Sequence, residues 1–163
     1  GIAQLGKRNF EHAVLTFEGL KMLSRENAIV HANLGIAYQF IDKFERAQQC
    51  YEKAILLHHS DADIFSNLAL LHLREGKSSE AISLFLKATK VNPNHQQSYR
   101  NIGHELARLG QYEDAVEPLE KAVFLNPKDV ESACDLSNAL AMTNNIPRAI
   151  EICEKTLGIF QTT

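Results

Sequence analysis

The sequence predicts an all-α fold in which antiparallel helix pairs stack into a solenoid. Residues of the same kind recur along the chain at a period of 34. Each period holds two stretches of about 14 residues whose apolar positions follow helical spacing. Glycines and prolines stand between those stretches, where helices end. A fixed period of this length is typical of stacked repeat units, each of which buries its apolar face against its neighbours.

The period is clearest between residues 96 and 129, and it sets the predicted repeat boundaries. Large, small and turn-forming residues of this segment have counterparts one period earlier. The matched pairs are Tyr99 with Phe65, Gly103 with Ala69, Ala115 with Ala81, Ala122 with Ala88, and Pro127 with Pro93. We therefore expect a single array over residues 1–163. It consists of a partial repeat at 1–27 and full repeats at 28–61, 62–95, 96–129 and 130–163.

The partial repeat is predicted to contain the end of one helix and the whole of the next. Ala13 and Phe17 have the phase of a second helix, which we expect from about residue 10 to 23. Residues 1–3 have the phase of the end of a first helix. A turn is therefore expected near Gly6, two residues early against the glycines of the later repeats.

Each full repeat is predicted to contain two helices joined by a left-handed turn. Gly76 and Gly110 stand where the first helix ends, and Asp42 and Asn144 hold the same place in the first and last full repeats. Glycine, and to a lesser degree asparagine and aspartate, tolerates the positive φ that such a turn needs. Pro118 lies inside a predicted second helix, which we expect to continue through it with a modest bend.

Small residues share one register in the first helices. They are Gly35, Ala69 and Gly103, spaced by 34 residues. Because nothing bulky stands there, each first helix is expected to approach its partner helix closely.

This pattern resembles the tetratricopeptide repeat, and the resemblance covers nearly the whole chain. The resemblance implies a right-handed superhelix whose concave face is lined by the first helix of each pair. It also implies that extended peptides or partner helices bind on that face. We therefore expect a non-catalytic scaffold that binds a protein or peptide.

Composition and cysteine usage exclude several other classes of protein. The formal net charge of −3 over 163 residues gives no general attraction to nucleic acid or to an anionic membrane. No apolar run approaches the roughly 18 residues that a membrane span needs. Cys50, Cys134 and Cys153 have no paired spacing, so they fit reduced thiols in a cytoplasmic protein.

Candidate catalytic and metal-binding residues have simpler explanations, so we expect no enzyme, no cofactor and no metal site. The eight glycines are scattered singly and form no phosphate-binding loop. His58, His59 and Asp61 lie in one turn, but adjacent histidines point in different directions and no further ligand is near in sequence. Cys134 and Cys153 show no pattern of a nucleophile beside a base.

Three asparagines at one register are the first candidates for peptide binding. Asn33, Asn67 and Asn101 lie at the same place in three successive first helices. An amide side chain both donates and accepts hydrogen bonds, so such a row can hold a peptide backbone. The row is similar to the asparagine ladder in the repeat domain of O-linked N-acetylglucosamine transferase. The alternative is a structural role, since asparagine is frequent at this place in the family.

A row of basic side chains is the second candidate. Arg100, His104 and Arg108 are spaced at i, i+4 and i+8, and Arg74 has the place of Arg108 one repeat earlier. Such a cluster favours carboxylate or phosphate groups, so the partner is expected to present an acidic or phosphorylated segment. The alternative is pairing within the chain, with Asp63 meeting Arg100.

The final predicted helix is unusually apolar for the end of an array. Ile150, Leu157 and Phe160 are expected to be covered by further repeats, a capping helix or a second copy, unless the chain is cut from a longer array. Two further functions therefore remain open. One is a substrate-docking or regulatory segment of a larger enzyme such as a glycosyltransferase, and the other is a structural segment that assembles with itself.

Overall fold

The fold is an array of helix pairs, as the period predicts. A computed structural model of the protein describes residues 2–58 and 61–161. Within these ranges the helices are α1 (Ile2–Leu23), α2 (Ala28–Phe40), α3 (Phe44–Leu56), α4 (Ala62–Arg74), α5 (Ser78–Val91), α6 (Gln96–Arg108), α7 (Tyr112–Leu125), α8 (Val130–Met142) and α9 (Ile146–Gln161). Each helix packs against the next along the chain, and α6 also contacts α8. The predicted all-α solenoid is confirmed.

The start of the chain differs from the prediction. One continuous helix of 22 residues, α1, runs through Gly6, so no turn forms there. Gly6 is not among the residues with positive φ, and a Cβ atom added to it would meet nothing within 4 Å. Glycine is compatible with helical φ as well as with a turn, and here α1 continues through it. Its later part packs on α2, as a second helix should.

The turns between paired helices form as predicted. Asp42, Gly76, Gly110 and Asn144 all have positive φ, between 61° and 77°. The backbone amides that follow the turns donate back to the ends of the first helices, for example from Lys77 to the carbonyl of His72 at 2.9 Å. Each second helix therefore folds back antiparallel to its first helix.

Close approach within the pairs is also confirmed. A Cβ atom on Gly35 would lie 2.6 Å from the Tyr51 ring, and one on Gly103 would lie 2.3 Å from Leu119 Cγ. Tyr51, Phe85 and Leu119 share one register in the second helices and are fully buried. The helix α7 continues through Pro118, as expected. These contacts fix the distance and rotation of the first helices, on which the candidate site lies.

Polar residues at the start of the first helices form a further row that the sequence analysis missed. Asn27, Asp61, His95 and Asp129 occupy the N-cap positions of α2, α4, α6 and α8. The side chain of Asn27 accepts hydrogen bonds from the amides of residues 29 and 30, at 3.1 and 3.2 Å. The sequence does contain a signal for this row, because the four polar residues are spaced by 34. Polar side chains at the start of a helix accept hydrogen bonds from its free amides.

Candidate functional site

The first helices place residues of equal register in rows along one face of the array. We call this the first-helix face; it comprises the side chains of Ile29, Asn33, Ile36 and Phe40 in α2 and their counterparts one, two and three periods later. All seven residues proposed for binding from the sequence lie on it or beside it. They are Asn33, Asn67, Asn101, Arg74, Arg100, His104 and Arg108.

The three asparagines do not have equivalent surroundings. Tyr51 donates a hydrogen bond from its hydroxyl to Gln39 Oε1 at 2.8 Å. Burial raises the pKa of Tyr51, and a side-chain hydrogen bond with Asn67 opposes that rise. Asn67 therefore helps to hold a core tyrosine. In Asn101, by contrast, the side-chain nitrogen Nδ2 is buried and has no hydrogen-bond partner. Such a buried donor is costly unless a partner arrives to accept from it.

Two of the basic side chains contact carboxylates of the next first helix. Arg100 Nη1 lies 2.7 Å from Glu131 Oε2, and His104 Nδ1 lies 2.8 Å from Asp135 Oδ2. Both pairs join α6 to α8. The expected pairing of Asp63 with Arg100 was wrong, because Asp63 Oδ1 contacts His95 Nε2 at 2.9 Å instead.

Arg108 is held by a buried carboxylate. Its Nε and Nη2 atoms donate to the two oxygens of Glu105 at 2.8 and 2.5 Å, and Nη2 also donates to Ser78 Oγ at 3.0 Å. Glu105 is only 3% exposed. The hydrogen bonds from Arg108 hold the pKa of Glu105 below its ordinary value, against the opposing effect of burial. The arginine therefore neutralises a charge inside the array.

The contact between Arg108 and Ser78 belongs to a series that joins each repeat to the previous one. The end of a first helix meets the residue 30 positions earlier, in the preceding second helix or its equivalent in α1. The Phe10 and Phe40 rings are stacked with centroids 4.1 Å apart and planes 4° apart. The Arg74 guanidinium lies 3.6 Å from the centroid of the Phe44 ring. The arginines predicted for ligand binding therefore also hold the repeats together.

A cleft lies between α6 and α8 on the first-helix face. It has a volume of about 480 Å³. Its lining residues are Arg100, Asn101, His104, Val130, Glu131, Cys134 and Asp135. Hydrogen-bond donors of α6 face carboxylates of α8 across this cleft. It therefore offers donors and acceptors together, without a large excess of either charge.

The opposite end of the face is apolar. Helix α2 contains no aspartate, glutamate, lysine or arginine. Its Ile29 and Phe40 side chains are each 58% exposed, and Ile36 between them is half-buried. The first-helix face thus changes along the array from an apolar end to a polar cleft.

A contact series of Asp63, His95 and Ser98 resembles a hydrolytic arrangement in residue type only. His95 Nε2 contacts Asp63, and His95 Nδ1 lies 2.8 Å from Ser98 Oγ and 3.3 Å from the backbone nitrogen of Ser98. Ser98 is fully buried, so its hydroxyl is inaccessible to a substrate in this conformation. The histidine instead caps the start of α6.

Neither a metal cluster nor a membrane helix is found in the part of the chain that the structure describes. No group of three His, Cys, Asp or Glu side chains there has a geometry suited to a metal ion. No helix within residues 2–58 and 61–161 has the length and hydropathy to cross a bilayer. His58 is exposed at a turn, and His59 lies outside the described residues.

Two family profiles match the sequence, and they overlap. Residues 42–122 match the family described as anaphase-promoting complex, cyclosome, subunit 3. Residues 100–162 match a family described as tetratricopeptide repeat. The comparison with curated proteins gives no significant match.

Solved structures with the same fold cover almost the whole chain. A crystal structure of MamA is 19% identical with a TM-score of 0.82, over 93% of this chain and 83% of that one. MamA from Desulfovibrio magneticus RS-1, from residue 41 to its end, is 18% identical with a TM-score of 0.82, over 99% and 93%. YrrB, described as a TPR protein with an unusual peptide-binding site, is 19% identical with a TM-score of 0.78, over 96% and 82%. The period, the helix pairs and these matches agree: residues 100–162 match the tetratricopeptide repeat family, and the fold of the described residues is the one that tetratricopeptide repeat proteins share.

Proposed function

We propose that the protein is a non-catalytic scaffold that binds an extended segment of another protein along its first-helix face. The observation that carries this proposal is the buried, unpartnered Nδ2 of Asn101 beside the cleft between α6 and α8. A peptide carbonyl is an acceptor of the right kind for this amide. Because the amide is closed off in this conformation, binding requires a small movement of the cleft walls.

The remaining residues of the site contribute in different ways. Asn33 and Asn101 are proposed to bond the peptide backbone directly, while Asn67 contributes mainly through Tyr51. Arg74, Arg100, His104 and Arg108 are proposed to line the path of the peptide, at the rim. A peptide-binding site is also named for YrrB, which shares the fold, and this supports the same class of function.

Peptide selection followed by matched substitutions tests the proposal. Phage-displayed random peptides of about 12 residues, long enough to cross several repeats, are selected on the chain. Selected sequences are made with a fluorescein label and titrated by anisotropy. The double variant Asn33→Ala/Asn101→Ala is expected to bind about tenfold more weakly or worse, since two backbone hydrogen bonds are lost.

The control variant is Asn94→Ala, at an exposed position in the turn between α5 and α6. It removes the same chemical group away from the first-helix face, so affinity should not change. Equal affinity of the double variant and the wild type, with a lowered melting temperature, would show that the asparagines are structural.

A second function is favoured by a different surface. Ile150 and Leu157 in α9 are 53% and 64% exposed, while the side chain of Phe160 lies outside the described ones. In α7 the residues one period earlier, Val116 and Val123, are half-buried and pack on the core cluster that includes α8. The face of α9 is therefore shaped to receive another helix, and we propose self-association through it as the alternative to peptide scaffolding.

A further inference from the structure

We infer that the segment bound on the first-helix face is uncharged and carries an aromatic anchor. The anchor seats on Phe40, apolar residues beside it lie along Ile36 and Ile29, and the backbone enters the cleft between α6 and α8. This inference rests on the proposed peptide-binding function and specifies its partner.

The α2 end is suited to an aromatic or large aliphatic side chain. The Phe40 ring is fixed by its stack on Phe10, yet 58% of the residue remains exposed. A ring that is already fixed loses little conformational freedom when a second ring packs on it. Ile29 and Ile36 extend the apolar surface along α2, and exposed apolar patches of this kind usually mark contacts.

The charge pattern argues against an acidic segment. Arg100 and His104 contact Glu131 and Asp135, and Arg108 contacts Glu105. An acidic ligand has to compete with these carboxylates for the basic side chains. Each carboxylate that it displaces then loses its own hydrogen-bond partner. A neutral backbone instead finds donors and acceptors side by side in the cleft. The expectation of an acidic or phosphorylated partner is therefore replaced by that of an uncharged one.

The spacing between the two ends limits the length of the segment. Helices that pack together lie about 10 Å apart. The pairs α2/α4 and α4/α6 make few or no direct contacts, so α2 and α6 are separated by at least about 20 Å. An extended chain spans about 3.3 Å per residue, so the anchor should stand at least about six residues from the part of the backbone in the cleft.

The selected peptides themselves give the first test. Aligned sequences from the random library should share one aromatic position, with an uncharged stretch of at least about six residues on one side of it. Enrichment of aspartate or glutamate, or the absence of any shared aromatic position, overturns this inference but leaves peptide binding intact. Failure to select any peptide overturns both.

Matched substitutions give the second test. Phe40→Ala is expected to weaken a labelled selected peptide about tenfold or more. Phe124→Ala is the control, because Phe124 is a 75% exposed phenylalanine in α7, outside the first helices. Ile29→Ser separates binding from folding, since Ile29 takes no part in the ring stack; it should weaken binding without lowering the melting temperature. Equal affinities for wild type, Phe40→Ala and Ile29→Ser would refute the anchor.

Discussion

Replacing Gly103 by alanine should destabilise the array, although alanine is the better helix former. A Cβ atom at this position would lie 2.3 Å from Leu119 Cγ, 2.8 Å from Leu119 Cδ2 and 3.2 Å from the Ala115 carbonyl oxygen. Leu119 is fully buried, so it has no solvent into which to retract. Either α6 must move away from α7 or the leucine must leave its preferred rotamer.

The magnitude follows from two opposing effects. Overpacking a close-packed core costs about 1–3 kcal/mol, while glycine to alanine in a helix gains about 1 kcal/mol. The contact at 2.3 Å is far inside normal separation, so the upper part of that range applies and the net loss is about 1–2 kcal/mol. For a chain of this size the melting temperature should fall by about 2–8 °C.

Urea unfolding followed by circular dichroism measures the change. Gly19→Ala in α1 is the matched control, because a Cβ atom there meets nothing within 4 Å. That variant should gain up to about 1 kcal/mol. Adding Leu119→Ala to Gly103→Ala should cost less than the sum of the two single changes, since the smaller residue makes room. A Gly103→Ala variant as stable as Gly19→Ala would refute the reasoning.

Two other predictions concern charge and assembly. Arg108→Met leaves Glu105 buried without its partner and should lower the melting temperature at pH 7 by about 2–4 °C or more. Arg108 holds the pKa of Glu105 in the folded protein below that of the unfolded glutamate. The stabilisation by this pair is therefore fully present above the unfolded pKa and is lost as the pH falls through the lower pKa of the folded protein. The melting temperatures of the variant and the wild type should accordingly converge in acid. If α9 mediates self-association, sedimentation of the wild type should depend on concentration, and Ile150→Ser/Leu157→Ser should sediment as a monomer. A wild type that remains monomeric without binding an apolar dye would exclude that assembly.

The sequence predicted the features that one repeat determines by itself. The turn at Gly76 and the close approach at Gly103 follow from residues of a single helix pair, whose spacing is visible along the chain. The start of the chain was harder to predict, because Gly6 suggested a turn. A glycine alone does not fix one, since its backbone also adopts the helical φ that it has here.

The partners of the basic side chains were not predictable in the same way. Arg108 meets Ser78, which is 30 residues earlier, and Arg100 meets Glu131, which is 31 residues later. Neither offset equals the period of 34. Two residues that touch across adjacent repeats occupy different positions within their own repeats, so their separation along the chain differs from the period. Comparing equal registers therefore finds the rows but not the contacts between them. The offset of 30 is a usable signal once one such contact is known.

That offset leads to a final prediction, at the junction of α3 and α4. The Arg74 guanidinium lies over the Phe44 ring, and the two residues are 30 positions apart, as Phe40 and Phe10 are. The ring stack shows that a phenylalanine fits at this place in the first repeat, so Arg74→Phe should keep the junction intact. Arg74→Ala removes the contact and should cost about 0.5–1 kcal/mol, the usual strength of an exposed cation–π pair. If Arg74→Phe destabilises the chain as much as Arg74→Ala in urea unfolding, the two junctions are not equivalent and the shared geometry does not stabilise the stacking of the repeats.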